Sequence, residues 1–336
     1  MKVAIIGCGG IGQVHSAAYL QVPGVQVVAA ADIRQEYAQK VAERHSTKAY
    51  ASLEALLANE KPDAADICVP TYLHKALSIQ CMQHGLNVLC EKPMALNLAD
   101  AQAMADCAAK SGVLLMVAQV IRFWPEYAYL KAIYDHGTYG RLQQATFSRT
   151  CGAPAWAWDG WYTDPARSGL APFDLHVHDV DYIHYLLGRP AKVQSIALDK
   201  PRLFISYIRT RYSFDDDALV EAEAGWYPGQ VPFAATFRAV FEGAVLDYNS
   251  EALTIYEAGK VAPRKVDAAA AMTMDANINL SNLGPYYNEI AYFIQCLHDR
   301  VPPSVVTPQQ SVDSINLVTA EIESASTGRA VELRWA

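Results

Sequence analysis

The first 120 residues alternate short apolar runs with stretches of helical periodicity. Lys2–Gly7 reads as a strand and Ile11–Gln21 as a helix, and Gln26–Ala31 with Arg34–His45 repeats the pair. Ser52–Asn59 is a further helix, with Ser52 placed as its cap. Strands at Ala65–Pro70 and Asn87–Cys90 flank a helix at His74–His84, and a helix at Asn97–Ser111 leads into a strand at Leu114–Ala118. Strands alternating with helices of this length predict a parallel sheet covered on both faces.

Beyond residue 120 the rhythm changes. Glu126–His136 reads as a helix ended by Gly137. Segments 142–150, 192–197, 204–214, 218–227, 233–241 and 244–248 then carry alternating or β-branched and aromatic residues. Such runs, with one helix at about 174–187 among them, predict a large, mostly antiparallel sheet. Helices at about 285–298 and 308–327 precede a last strand, Val331–Arg334. The expected fold class is α/β, with two domains: a doubly wound parallel sheet over residues 1–120, and an α+β domain over 121–336 for substrate binding and oligomer contacts.

Composition narrows the function classes. A chain of 336 residues with 52% hydrophobic and 18% charged residues has material for more than one core. Its formal net charge of −8 speaks against a nucleic-acid or anionic-membrane binder, since either needs a basic surface. Met1–Ile6 runs straight into a strand pattern with no basic or long apolar leader, and no apolar run reaches the roughly 18–20 residues needed to span a bilayer. The seven cysteines (Cys8, Cys68, Cys81, Cys90, Cys107, Cys151, Cys296) are odd in number and form no C-x-x-C pair. They read as reduced, buried thiols, and the expected location is cytoplasmic.

The chemistry begins at Gly7-Cys8-Gly9-Gly10-Ile11-Gly12, a G-x-G-x-x-G that follows a buried strand and opens a helix. This is the Rossmann dinucleotide loop: Gly7 permits the turn, Gly9 lets the backbone approach a pyrophosphate, and Gly12 allows the helix to pack on the strand. Asp32 ends the second strand 20 residues beyond Gly12, where a carboxylate accepts both adenosine ribose hydroxyls and repels a 2′-phosphate. NAD is therefore expected over NADP, with Arg34 beside Ile33 as the complication, since a guanidinium could neutralise that phosphate.

Glu91-Lys92-Pro93 directly follows a strand, and Val69-Pro70-Thr71 and His74 lie upstream. Arg122-Phe123-Trp124-Pro125, Asp174-Leu175-His176-Val177-His178 and the closing Ser324–Gly328 segment follow. Together with the glycine loop these resemble the glucose–fructose oxidoreductase/inositol dehydrogenase (Gfo/Idh/MocA) family along essentially the whole chain. The resemblance implies an NAD-linked oxidoreductase acting on a hydroxyl carbon of a sugar, inositol or related polyol, as a homodimer or homotetramer. It places Pro70, Thr71, His74, Glu91 and Lys92 with the glycine loop at the cofactor. One departure is Ser168-Gly169-Leu170-Ala171-Pro172-Phe173, less rich in glycine than the family pattern leads one to expect.

Oxidation of an alcohol needs a base, a donor for the developing oxyanion, and a nicotinamide held against the carbon. Asp174 and His178 are spaced i, i+4 and so share one helix face. The resemblance implies that Lys92 and His178 share the acid–base work while Asp174 orients the imidazole. His178 then takes the hydroxyl proton and Lys92 hydrogen-bonds the same oxygen. A metal site built from Asp174, His176, His178, Asp179 and Asp181 is the rival reading. It is disfavoured because His176 projects about 200° away from Asp174 on a helix, at 100° per residue. Arg122 is a candidate substrate fork and Trp161, with Trp156 and Trp158, a candidate sugar platform. His15 is placed near the nicotinamide, and Tyr286 and Tyr287 are further pocket candidates. A redox-assisted glycosidase or lyase, or a dinucleotide-bound sensor without catalysis, are the alternative functions.

Overall fold

The computed structural model describes residues 1–154, 157–198, 206–215, 217–267 and 284–335. The chain divides into two compact units, one of Met1–Phe123 with Ser281–Val312 and the other of Trp124–Leu280 with Asp313–Ala336.

The first unit is a six-stranded parallel sheet. Strands β1 (Lys2–Ile6), β2 (Gln26–Ala31), β3 (Lys48–Tyr50), β4 (Ala64–Ile67), β5 (Asn87–Glu91) and β6 (Leu115–Ala118) lie in the order β3-β2-β1-β4-β5-β6. This is the doubly wound order whose reversal beside β1 leaves a crevice at the strand C-termini. Helices α1 (Gly10–Tyr19), α2 (Gln35–His45), α3 (Leu53–Asn59), α4 (His74–Gln83) and α5 (Leu98–Ser111) connect the strands. Every residue of β4 and β6 is buried, as expected of strands covered on both faces. Side chains start two of the helices as expected: Ser52 Oγ accepts from Ala55 N–H at α3, and Asn97 Oδ1 from Asp100 N–H at α5.

The second unit is built on a nine-stranded sheet. After α6 (Pro125–Asp135), β7 (Leu142–Gly152) lies at its middle; a short helix α7 (Pro165–Ser168) and the long α8 (Val177–Leu187) follow. The remaining strands are β8 (Lys192–Ala197), β9 (Tyr207–Ser213), β10 (Leu219–Tyr227), β11 (Ala234–Phe241), β12 (Ala244–Tyr248), β13 (Leu253–Glu257), β14 (Arg264–Val266) and β15 (Val331–Glu332). All described pairings are antiparallel except β7 with β10. Burial alternates along β11, so one face of the sheet meets a core and the other does not. On the core face Phe147 and Phe237 meet Tyr127 of α6 and Tyr182 of α8, with Tyr127 set edge-on to Tyr182 and Phe237 at centroid distances of 4.9 and 5.0 Å. Two late helices are α9 (Pro285–Asp299) and α10 (Pro308–Thr327).

The elements differ from expectation in a few places. The strand expected over 65–70 stops at Ile67, because Pro70 cannot donate to a ladder and Thr71–Leu73 turns as a 3₁₀ segment. The helix expected from 174 starts earlier, as a π-helical turn over Pro172–His176 that runs into α8. Strands β3, β13 and β14 were not anticipated; β3 and β14 have three residues each, too few for an alternation. The last strand stops at Glu332. Residues 204 and 205 and Trp156 lie outside the described residues. Among the described residues no helix is long and apolar enough to cross a membrane.

Candidate active site

In the first unit the glycine loop is shaped by contacts that no side chain could share. Gly7 has φ +89°, and a Cβ there would stand 2.6 Å from the Cys68 carbonyl; a Cβ on Gly12 would collide with Gly7 O. Gly10, by contrast, has nothing within 4 Å of its Cβ position, and Gly9 meets only an Arg34 nitrogen at 3.3 Å. The loop is thus closed toward the strand and open where α1 presents its first N–H groups together with Ile11, the arrangement that receives a pyrophosphate. Asp32 faces the same loop: Cys8 N–H donates to its Oδ2 at 2.7 Å and Arg34 N–H to its Oδ1 at 2.8 Å. Each oxygen keeps a second lone pair for a ribose hydroxyl. The Arg34 guanidinium lies 3.9 Å from the Tyr37 ring centroid, with its Nε 3.7 Å from Asp32 Oδ1. Ile33 is 73% exposed beside it.

Lys92 stands half-buried at the end of β5, in a loop that buried side chains hold in place. The ring nitrogens of His74 lie 2.8 Å from Pro93 O and 2.9 Å from Val69 O, tying the loop after β4, with Pro70 and buried Thr71, to the loop after β5. Burial holds the His74 imidazole below its usual range despite these two carbonyls. Glu91 Oε2 accepts the Lys92 backbone N–H at 3.1 Å, and Glu91 Oε1 lies 3.1 Å from His15 Nε2.

In the second unit Asp174 and His178 occupy a telling position. Of residues 170–184 they alone are half-exposed, and the other thirteen are buried. The buried ones have structural partners: Asp179 takes two bonds of 3.0 Å from Arg149, Asp181 accepts from Ser314 Oγ at 2.9 Å, and His176 Nε2 lies 3.2 Å from Glu321. The dense ligand types therefore aim at separate partners. Among the described residues, the one group of three His, Cys, Asp or Glu side chains that converges is His15, Asp66 and Cys68, in the other unit.

Residues 1–119 match the profile described as "Oxidoreductase family, NAD-binding Rossmann fold", and residues 127–274 match the GFO/IDH/MocA C-terminal domain. The chain belongs to the Gfo/Idh/MocA family. It is 32% identical to the D-glucoside 3-dehydrogenase of Escherichia coli strain K12 over 57% of this chain and 55% of that protein. It is 30% identical to a myo-inositol dehydrogenase of Streptomyces leeuwenhoekii over 68% of this chain and 71% of that one. The match spans about half the length of the first curated relatives. Levoglucosan dehydrogenase, solved in complex with NADH and levoglucosan, shares the fold across 99% of both chains with a TM-score of 0.86 at 20% identity.

Within this Gfo/Idh/MocA chain several candidates need correction. Arg122, expected to face substrate, is 0% exposed; its Nη1 donates to Val305 O at 2.5 Å and Gln310 Oε1 at 2.8 Å, so it anchors the 305–310 turn. His74 is buried as a tie between loops and offers no open edge to a cofactor. His15, placed beside the nicotinamide, is wholly enclosed by Asp66, Glu91, Cys68 and the Tyr286 ring. Trp161 is half-exposed in the kinked segment Trp158–Thr163 and stacks on Tyr162 at 4.0 Å, which takes one indole face. The glycine-poor stretch has its own signature: Leu170 sits at φ +61° and is 2% exposed, packed with Ala171, Leu175, Ala224 and Trp226. A bulky residue there accepts a backbone cost of roughly 1–2 kcal/mol and offsets it by burial.

Asp66 escaped the sequence reading. It was visible as a lone charge inside Ala64-Ala65-Asp66-Ile67-Cys68, and a carboxylate in a fully buried strand requires a partner.

Proposed function

We propose that this protein is an NAD-dependent dehydrogenase that oxidises a ring hydroxyl of a sugar, inositol or related polyol, or reduces the matching ketone. The observation that carries the reading is the placement of Asp174 and His178 as the accessible pair on an otherwise buried helical stretch. A carboxylate beside an imidazole orients it and raises its basicity, as a base for an alcohol proton requires. NAD, held at Gly7–Gly12 and Asp32, supplies the hydride acceptor when bound. His178 takes the hydroxyl proton, and the Lys92 ammonium donates to the same oxygen and stabilises charge developing there. Trp161 offers its remaining face to the apolar side of a ring. Two relatives named as glucoside and inositol dehydrogenases support the substrate class. Five of the seven cysteines are buried, as reduced thiols acting as small apolar side chains would be, which supports a reducing cytoplasmic setting. A homodimer or homotetramer completes the proposal, and light scattering on the purified protein tests it.

The decisive assay follows NADH at 340 nm with inositols, glucosides, aldoses and sugar acids against NAD and NADP. Turnover with NAD is expected, and His178→Ala should lower kcat by about 10²–10⁴. Full activity in His178→Ala sinks the assignment of the base. Product formation without net NADH, detected by mass, replaces the dehydrogenase with a transient-redox enzyme.

A further inference from the structure

Beneath Lys92 lies a buried charged group that the proposed reaction does not use. His15 points inward from α1, with Nδ1 2.9 Å from Asp66 Oδ2 and Nε2 3.1 Å from Glu91 Oε1. Both contacts are fully or almost fully removed from water, and the second is off the line of a hydrogen bond. The Cys68 thiol donates to Asp66 Oδ1 at 3.3 Å and lies 3.5 Å from the same His15 nitrogen. Around them are Tyr19 from α1, Tyr286 and wholly buried Glu289 from α9, and on the loop side His74 and Lys92.

A neutral imidazole has one N–H and would turn a lone pair toward one of two carboxylates; an imidazolium serves both. Burial is the largest single influence and disfavours that charge, but Asp66 and Cys68, by charge and hydrogen bond together, overcome it and hold His15 well above the usual histidine range. Burial also pushes the Cys68 thiol well up, which leaves Asp66 as the carboxylate that meets His15 Nδ1, at 2.9 Å. Glu91 is correspondingly lowered: burial opposes its charge, and His15 and then Lys92 overcome it. A metal shared by His15, Asp66 and Cys68 fits less well. Nitrogen and oxygen ligands of a tetrahedral zinc stand about 3.3 Å apart at bonds of about 2.0 Å, whereas 2.9 Å here is a hydrogen bond.

We propose that His15 is a positioning residue for the reaction: a buried imidazolium, fixed by Asp66, that locks the Glu91 carboxylate, whose other oxygen holds the Lys92 amide and so aims the Lys92 side chain. This rests on Lys92 acting on substrate. Removing the imidazolium leaves Asp66 buried without a cation and Glu91 with Lys92 alone, and the two carboxylates then favour sharing a proton. Glu91 then loosens its hold, and kcat falls while the distant adenosine end of the cofactor site is untouched.

Two measurements test this. In ¹⁵N-histidine NMR of the whole protein at pH 8, His15, assigned by its loss in His15→Gln, should show two protonated ring nitrogens. A neutral His15, or a stoichiometric zinc found by metal analysis, overturns the proposal. In kinetics, His15→Gln should lower kcat about ten- to hundredfold, as small misplacements do, leave KM for NAD within about twofold, and add an ionisation near neutral pH to the kcat profile. His15→Gln/Asp66→Asn, which removes the surplus anion, should lose that ionisation and recover part of kcat. An unchanged profile in His15→Gln, or a double variant no better than the single one, reduces the group to packing and overturns the proposal. Lys92→Met separates the premises: if it retains activity the Lys92 assignment and the positioning role fall together, while the NMR result on His15 still stands. Should His15→Gln not fold, Glu91→Gln replaces it in the kinetic arm, with the same loss of kcat expected and an unchanged kcat overturning the role.

Discussion

His15 between Asp66 and Glu91 and Arg149 against Asp179 are both charges taken out of water, one in each unit, and their construction differs. The Arg149 fork closes on Asp179 with two bonds of 3.0 Å, and its remaining edge lies near the Tyr127 hydroxyl at 3.4 Å, inside the aromatic core. One cation meets one anion. The His15 group has one cation for two carboxylates, an imperfect angle to Glu91, and a link to the loop that carries Lys92. A closed pair holds architecture, whereas a group left with surplus charge at the strand ends has something to act upon. The reading breaks if the two respond alike to substitution.

The largest effect is expected at the closed pair. Arg149→Met leaves a buried carboxylate with no cation and should cost about 3–5 kcal/mol of stability, while Arg149→Met/Asp179→Leu, which removes both charges, should recover most of it. The described tryptophans, Trp124, Trp158, Trp161, Trp226 and Trp335, lie in the second unit, so urea unfolding followed by tryptophan fluorescence reports on that unit. A single variant within 1 kcal/mol of the parent would mean that the pair is not what fixes α8 to β7.

The glycine loop offers a smaller version of the same contrast between closed and open. An added methyl at Gly12 runs into Gly7 O, and overpacking of this kind costs roughly 1–3 kcal/mol. At Gly10 the same methyl meets nothing within 4 Å, so Gly10→Ala should leave calorimetric stability unchanged and weaken NAD binding by fluorescence titration. Tight NAD binding by Gly10→Ala would show that the pyrophosphate does not lie over that face.

What could be read from the chain follows from how local each constraint is. As structure, the glycine turn after β1, Asp32 facing it and the helical stretch that carries Asp174 and His178 were legible because backbone geometry constrains residues at those spacings. The parallel sheet was legible for a related reason, since strands buried on both faces leave unbroken apolar runs. Arg122 was misread because its partner Val305 lies 183 residues away, and nothing near it marks a guanidinium as buried. The His15–Asp66 contact joins residues 51 apart on a helix and a strand. Only the fold makes them neighbours, although Asp66 alone announced that a partner must exist. The stretch Ser168–Phe173 was flagged as a departure from the family's glycine pattern, and within it Leu170 combines a left-handed backbone with a fully packed side chain.

The smallest effect, and the sharpest in sign, is the pH dependence of the first unit. Burial, resisted by the carbonyls of Pro93 and Val69 and by Glu91, holds the His74 pKa below the ordinary value, with Lys92 adding to the depression. Between about pH 6.5 and that lower value the unfolded chain binds the extra proton, so stability falls as pH drops through this window. His45, half-buried and also lowered chiefly by burial, adds to the same acid limb. His15 has the opposite sign, because its folded pKa lies well above 6.5. Its contribution is complete below about pH 6.5 and is lost as pH climbs through the folded value. Calorimetric midpoints from pH 5 to 9 should therefore fall away on both sides. His74→Gln should flatten part of the acid limb without touching the alkaline one, and His15→Gln should do the reverse. If His74→Gln lowers the midpoint equally at every pH, the ring is a structural tie whose proton never enters the balance. The charge argument for this unit would then rest on His15 and His45.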